Sequence, residues 1–219
     1  MLAALLPSSV MTAETFTDDP VDECFPGEED LIATAAPGRR REFVTARRCA
    51  REALARLGHP PVAIRPGPRR EPLWPAGLAG SITHCSGYRA AAVARAGDVV
   101  SVGIDAEPHT PLPPRVTRTV LAGGDADHLA ELSGTDPSVH WDKLLFSAKE
   151  AVYKAWFPLT RRWLGFGDAS LLIDPVAGTF TGLLHVDGTR VDGAPPLTAL
   201  HGRFVVRNGL VVTAVSIEV

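Results

Sequence analysis

Apolar positions along this chain fall into two successive blocks, each a helical period followed by strand-like runs. In GRRREFVTARRCAREALARL, residues 38–57, Phe43, Ala46, Ala50 and Leu54 recur at three- and four-residue intervals, the spacing of one helix face. Gly58 and Pro60 end that helix. IRPGPRREPLWPAG, residues 64–77, reads as loop, because its prolines and glycines sustain neither a ladder nor a helix. Three β-type runs follow at 80–84, 89–96 and 99–105, with CSGY and GD between them as tight antiparallel turns. EPHTPLPP, residues 107–114, has the composition of a linker.

Beyond the linker the order repeats. A second helix is predicted from His140 to Trp156, stopping before Pro158 because a proline restricts the residue ahead of it. Strands are predicted at 170–174, 179–186, 199–206 and 210–219. Helix then antiparallel strands, twice over, predicts an α+β fold of two similar halves, 1–108 and 109–219, related by a pseudo-two-fold. The ligand site is then expected in the cleft between them. No residue-level repeat accompanies the repeated element order.

Composition narrows the class. At 219 residues with 45% hydrophobic positions the chain can bury a real core, and general disorder is excluded. A net charge of −3 with scattered cations lacks the basic stripe of a nucleic-acid surface. Cys24, Cys49 and Cys85 are odd in number, far apart and outside any metal-ligand spacing, so free thiols in a reducing compartment are expected. The opening MLAALLPSSVM has no basic region before its apolar residues, and Pro7 interrupts them. No run approaches the length of a membrane span, and a cytoplasmic protein is expected.

Only three of the 22 basic residues are lysines, and Lys143, Lys149 and Lys154 lie within twelve positions of one another. In a chain that otherwise uses arginine, this points to a need for compact, mobile ammonium groups. Lys143, Phe146, Glu150 and Lys154 share one stripe of the second helix, and Lys149 flanks it. In GIDAEP, residues 103–108, Asp105 and Glu107 are two apart on a strand and face the same way. They are either solvated acids at a strand end or ligands for a hard cation such as Mg²⁺ or Mn²⁺. Glu150 on the facing helix could supply a third carboxylate, with the lysines meeting an anionic substrate. In the first half Arg40, Arg47 and Arg51 share one side of the first helix, with Arg39 near its start and His84 ending a strand. They form either a solvated helix face with a structural histidine or a phosphate-binding cluster with a protonated one.

Taken together, RRREFVTARRCAREAL, REPLWP, GSITHCSGY, SVGIDAEP and HWDKLLFSAKEAVYKAWFPLTRRWLGF resemble the 4′-phosphopantetheinyl transferases of the Sfp/EntD-like class, nearest their actinobacterial branch. The resemblance runs from about Phe25 to the C-terminus. It implies transfer of the 4′-phosphopantetheine arm of coenzyme A (CoA) to a serine of apo acyl or peptidyl carrier proteins, in a cytoplasmic monomer. It makes Asp105, Glu107 and Glu150 the Mg²⁺ ligands, and Glu150 and Lys154 the catalytic pair. CoA phosphate contacts are implied for Arg39, Arg47, His84, Lys149 and Lys154. Arg69 is the basic residue available in the loop before Trp74, where Arg70 stands in place of an expected glycine. Lys143 is expected at the periphery, and carrier docking is expected around Phe157, Leu159 and Trp163. A metal-dependent hydrolase of the CoA pyrophosphate and a non-catalytic CoA- or carrier-binding adaptor are the alternatives.

Overall fold

The computed structural model describes residues 1–219. Helix α1 (Pro37–Arg56) starts on a proline, whose fixed φ suits the first helical turn, and ends at Leu57 ahead of Gly58 in the left-handed region at φ +76°. Its buried face, Val44, Ala46, Cys49, Ala50, Ala53 and Leu54, is mostly small, which brings it close to a three-stranded antiparallel sheet. That sheet comprises β1 (Met11–Thr15), β2 (Leu78–Cys85) and β3 (Tyr88–Arg95) in the order β1-β3-β2.

Strand β3 is buried on both faces. Its period of two sends Ala91 and Val93 toward α1, and Tyr88, Ala90, Ala92 and Ala94 toward the other half of the molecule. The second sheet has five antiparallel strands in the order β4-β8-β7-β6-β5: β4 (Val99–Pro108), β5 (Ala169–Asp174), β6 (Thr179–Leu184), β7 (Ala199–Arg207) and β8 (Leu210–Glu218). On β8, Val211 and Val215 belong to the core shared with the long helix α4 (Trp141–Thr160), while Val212 and Ala214 belong to the core shared with β3. Two sheets, each covered by one long helix, make the α+β fold and its pseudo-two-fold arrangement.

Five elements depart from the expected pattern. Strand β4 pairs with β8 from Val99 onward, so by hydrogen bonding it joins the five-stranded sheet and not the sheet of β2 and β3 that precede it in the chain. Strand β1 and two short helices, α2 (Pro114–Val120) and α3 (Asp125–Thr135), were not legible in the hydrophobic pattern. Helix α4 runs through Pro158 to Thr160. It can do so because the proline falls in the last turn, just before Arg161 ends the helix in the left-handed region with its N–H on the Phe157 carbonyl. The three cysteines are free thiols. No helix is long and apolar enough to cross a membrane.

The seam between the halves determines the site. β4 is the edge of its sheet, and its outward N–H groups meet no backbone partner from β2. Two β2 hydroxyls replace the ladder: Ser81 Oγ accepts the Ile104 N–H at 3.1 Å, and Thr83 Oγ1 accepts the Ala106 N–H at 3.0 Å. On the opposite face Gly103 lets β4 lie directly against α4, since a Cβ there would overlap the Ala151 carbonyl oxygen and lie 2.6 Å from the Ala155 nitrogen.

Candidate active site

The seam brings the C-terminal part of β4 against the middle of α4, and the acids and lysines of the two elements meet there. Asp105 is buried, with both oxygens engaged. Oδ1 accepts Lys154 Nζ at 2.8 Å, and Oδ2 accepts the Ser147 hydroxyl at 2.9 Å. Lys154 also donates to the Ile104 carbonyl at 3.0 Å, leaving one N–H of its three. Glu107, two residues along the strand, accepts Lys143 Nζ at 3.2 Å. Lys143 is therefore not peripheral: it is buried, because the strand carboxylate draws its ammonium inward.

Glu150 is the acid left without a cation. The three lysines are in contact with Asp105, Glu107 and Asp125 instead. Burial pushes its carboxyl above the usual range, and the charges of Asp105 and Glu107 push the same way against Lys154. Glu107 is likewise raised, by burial first and then by Asp105. The three carboxylates feel one another, but no three of the chain's acidic, histidine or cysteine side chains converge on a common point. Asp105 and Glu107 turn to the lysines. Three hard-oxygen donors on facing elements, with too few internal cations to neutralise them, are nonetheless a donor set suited to Mg²⁺.

Lys149 lies elsewhere. Its ammonium contacts Asp125 at 2.7 Å, the Val120 carbonyl at 2.6 Å and the Phe166 carbonyl at 2.9 Å. Those three acceptors use all its donors, so it ties α3 and the loop after α4 to the helix and has none left for a phosphate. Asp125 also accepts the N–H groups of Leu171 and Ala122.

The arginine cluster of the first half divides in two. Arg51 pairs with the fully buried Glu28 at 3.0 Å, and the same carboxylate oxygen accepts the Ile64 N–H. Arg47 lies over the Phe43 ring and contacts Glu28 and the Ile64 carbonyl through Nε alone, which leaves its terminal nitrogens for an anion. Burial lowers its pKa to about 10, so it remains charged. Arg39 donates to His84 Nε2 at 2.7 Å, which requires a neutral ring.

His84 is pushed down to about 4, by burial first and then by Arg39, with Lys154 and Arg89 adding to the effect. The sequence reading of a protonated histidine therefore applies only once an anion is present. A bound phosphate would raise this pKa, so the complex holds more protons than the free protein above pH 4. Calorimetry of CoA binding near pH 6, in buffers of differing ionisation heat, is expected to show uptake of a substantial fraction of one proton. His84→Gln should abolish it, and equal uptake by both proteins would remove His84 from the phosphate site.

A cleft of about 450 Å³ opens beside Glu150 and Lys154, lined by Arg69, Trp74 and Gly80 from the first half and by Glu150, Tyr153 and Lys154 from α4; Arg39, Arg47 and His84 lie outside its lining. Trp74 donates its ring N–H to the Gly80 carbonyl at 2.9 Å. A Cβ at Gly80 would approach that ring to 2.9 Å, so the glycine admits the indole. Arg70 occupies the left-handed region at φ +67°, a conformation glycine adopts without strain. The loop keeps that turn at a cost of about 1 kcal/mol. Sequence reasoning missed Ser147, Thr83 and Thr213, which form the polar floor around Asp105: Thr213 Oγ1 lies 2.9 Å from Ser147 Oγ, and Thr83 Oγ1 lies 3.5 Å from Asp105. The available signal was positional, since Ser147 precedes Glu150 by three residues, one helical turn.

The sequence comparisons define the class: the chain belongs to the 4′-phosphopantetheinyl transferases. Residues 27–94 match the 4′-phosphopantetheinyl transferase N-terminal domain, and residues 101–191 match the 4′-phosphopantetheinyl transferase superfamily. The gap between the two matches falls where β4 begins its pairing with β8. Among individual proteins, the chain is 52% identical to the 4′-phosphopantetheinyl transferase Svp of Streptomyces mobaraensis over 220 residues, covering 99% of this chain and 89% of that protein. It is 46% identical to the 4′-phosphopantetheinyl transferase PptT of Mycobacterium tuberculosis over 224 residues, 98% of this chain and 97% of that one. It is also 46% identical to the 4′-phosphopantetheinyl transferase Npt of Nocardia iowensis over 223 residues, 99% of each.

Proposed function

We propose that the protein transfers the 4′-phosphopantetheine of CoA to a serine hydroxyl of apo carrier proteins, with Glu150 as the base. The observation that carries the assignment is a half-buried carboxylate with a raised pKa and no cation in contact, lining the same cleft as Lys154 and Arg69. A serine hydroxyl is a poor nucleophile near neutral pH, so a positioned carboxylate must take its proton as the oxygen attacks the β-phosphorus. A raised pKa makes Glu150 a stronger base than an ordinary glutamate. Lys154, with one N–H free, neutralises charge on the departing phosphate of adenosine 3′,5′-bisphosphate. Arg39, Arg47 and Arg69 hold the nucleotide's phosphates, with His84 joining them on protonation.

Asp105, Glu107 and Glu150 would hold Mg²⁺, whose contribution is to neutralise the diphosphate oxygens. Lys149 drops out of the CoA-binding set for the reason of geometry given above. Around the expected docking surface Phe157 and Leu159 are buried, while Trp163 is 62% exposed and packs against Tyr153, tilted by 56°, with ring centroids 4.8 Å apart. Trp163 is then the residue of the three that can meet a carrier protein.

Intact-mass spectrometry of an apo carrier protein incubated with the protein, CoA and Mg²⁺ tests the whole reading. A gain of one phosphopantetheine, absent with EDTA, is the expected result. CoA consumed without labelled carrier would establish a hydrolase instead, and CoA bound intact without labelling of several carrier types would establish an adaptor.

A further inference from the structure

Lys143 has a burial that the reaction itself does not explain. It sits 9% exposed on the same stripe of α4 as Glu150, with its ammonium 3.2 Å from Glu107 and 5.8 Å from the centre of the Phe146 ring. Withdrawing a lysine from water is costly unless it gains a partner there, and the partner is one of the three acids proposed to hold the metal. Lys154 does the same for Asp105 at 2.8 Å. With Glu150 unpaired, three carboxylates face two ammonium groups, and no three acids converge in the free protein. The lysines already supply much of the positive charge that a divalent cation would bring.

We infer that Lys143 is a positioning residue: an internal counter-ion that holds Glu107 away from the metal site until CoA arrives. This rests on the metal assignment proposed above. In the free protein a divalent cation must displace Lys143 from Glu107, and the site's charge, near −1 from three acids and two lysines, attracts it only weakly. The diphosphate of CoA brings two further negative charges and engages Lys154, which makes the same site strongly attractive to the cation. Metal and CoA therefore bind as a coupled pair, each raising the affinity of the other by the same factor. A buried ion pair that must open for the metal is also one that resists loading by metal alone.

The test is direct binding of Mn²⁺, a paramagnetic stand-in for Mg²⁺, followed by the EPR signal of the free ion at pH 8, with and without CoA. Lys143→Met is expected to bind Mn²⁺ in the absence of CoA about tenfold or more tighter than wild type, since one like charge leaves the site. The ratio of Mn²⁺ affinities with and without CoA should shrink by a similar factor. Lys143→Gln, which keeps a hydrogen bond to Glu107 without the charge, should behave the same way and serves if the methionine variant does not fold. Lys143→Arg should remain like wild type. Unchanged Mn²⁺ affinity in the uncharged variants, with Mn²⁺ still bound when CoA is present, overturns the role of Lys143 and leaves the metal assignment standing. No Mn²⁺ bound by any of the proteins, even with CoA, overturns both.

Discussion

Glu150→Gln is expected to lower the turnover of carrier-protein modification by about two to four orders of magnitude, the range over which a positioned general base contributes. The same change is expected to leave the fold intact and slightly more stable. The glutamate's pKa is raised by burial and by Asp105 and Glu107, so the folded state holds its proton to a higher pH than the unfolded chain. Stability is then lost as pH rises from the unfolded pKa through the folded one, so ionising this side chain opposes folding. A neutral isostere removes that opposition. The expected signature is a collapse of the initial rate of holo-carrier formation together with an unchanged or raised Tm, as at other sites where stability is given up for activity. A near-normal rate would remove Glu150 from both its proposed roles.

Gly103→Ala is expected to be strongly destabilising for a single added methyl. The added Cβ would overlap the Ala151 carbonyl oxygen and meet the Ala155 nitrogen at 2.6 Å, and both are helix backbone that cannot swing aside. Overpacking of this kind costs about 3 kcal/mol, which in a chain of this size corresponds to a fall in Tm of about 6–12 °C. Whatever protein remains folded must move α4 off β4, and that movement opens the 2.8 Å contact between Lys154 and Asp105. Activity should therefore fall further than the loss of folded protein accounts for. Gly38→Ala is the control, since an added Cβ there meets nothing within 4 Å on an exposed turn of α1. Equal Tm values for wild type and Gly103→Ala would show that the helix and strand are not in the close contact described.

The long helices were legible because α1 and α4 each carry a period of three to four residues, and β3 and β8 because each is a short apolar run bounded by turn residues. Strand geometry put Asp105 and Glu107 on one face and helix geometry put Glu150 and Lys154 on one stripe, and the structure brings the two surfaces together. The sequence could not show which sheet β4 joins. That depends on β8, which pairs Thr213 with Asp105 across a separation of 108 residues. Helices α2 and α3 bury only Val120 and then Asp125, Leu129 and Leu132, too few apolar positions to produce a period. Strand β1, MTAET, is short and of mixed polarity, and its pairing with β3 is set by tertiary context. Lys143 and Lys149 illustrate the limit for site residues. Spacing put both beside Glu150, yet the acid that claims each one comes from a distant segment, Glu107 for the first and Asp125 for the second.

The pairing of Asp105 with Thr213 also bears on the order in which the molecule becomes competent. The contact closes a loop of 108 residues, and such distant pairings form late because the entropy of closure precedes any gain from the contact. Helix α1 and its three strands need nothing beyond Arg95 for their own hydrogen bonds, so they can assemble while the rest of the chain is still being synthesised. The acid that anchors the site acquires its floor only when β8 docks between β4 and β7. A nascent chain would thus fold its first half early and complete the seam, with the acids and lysines that meet there, last.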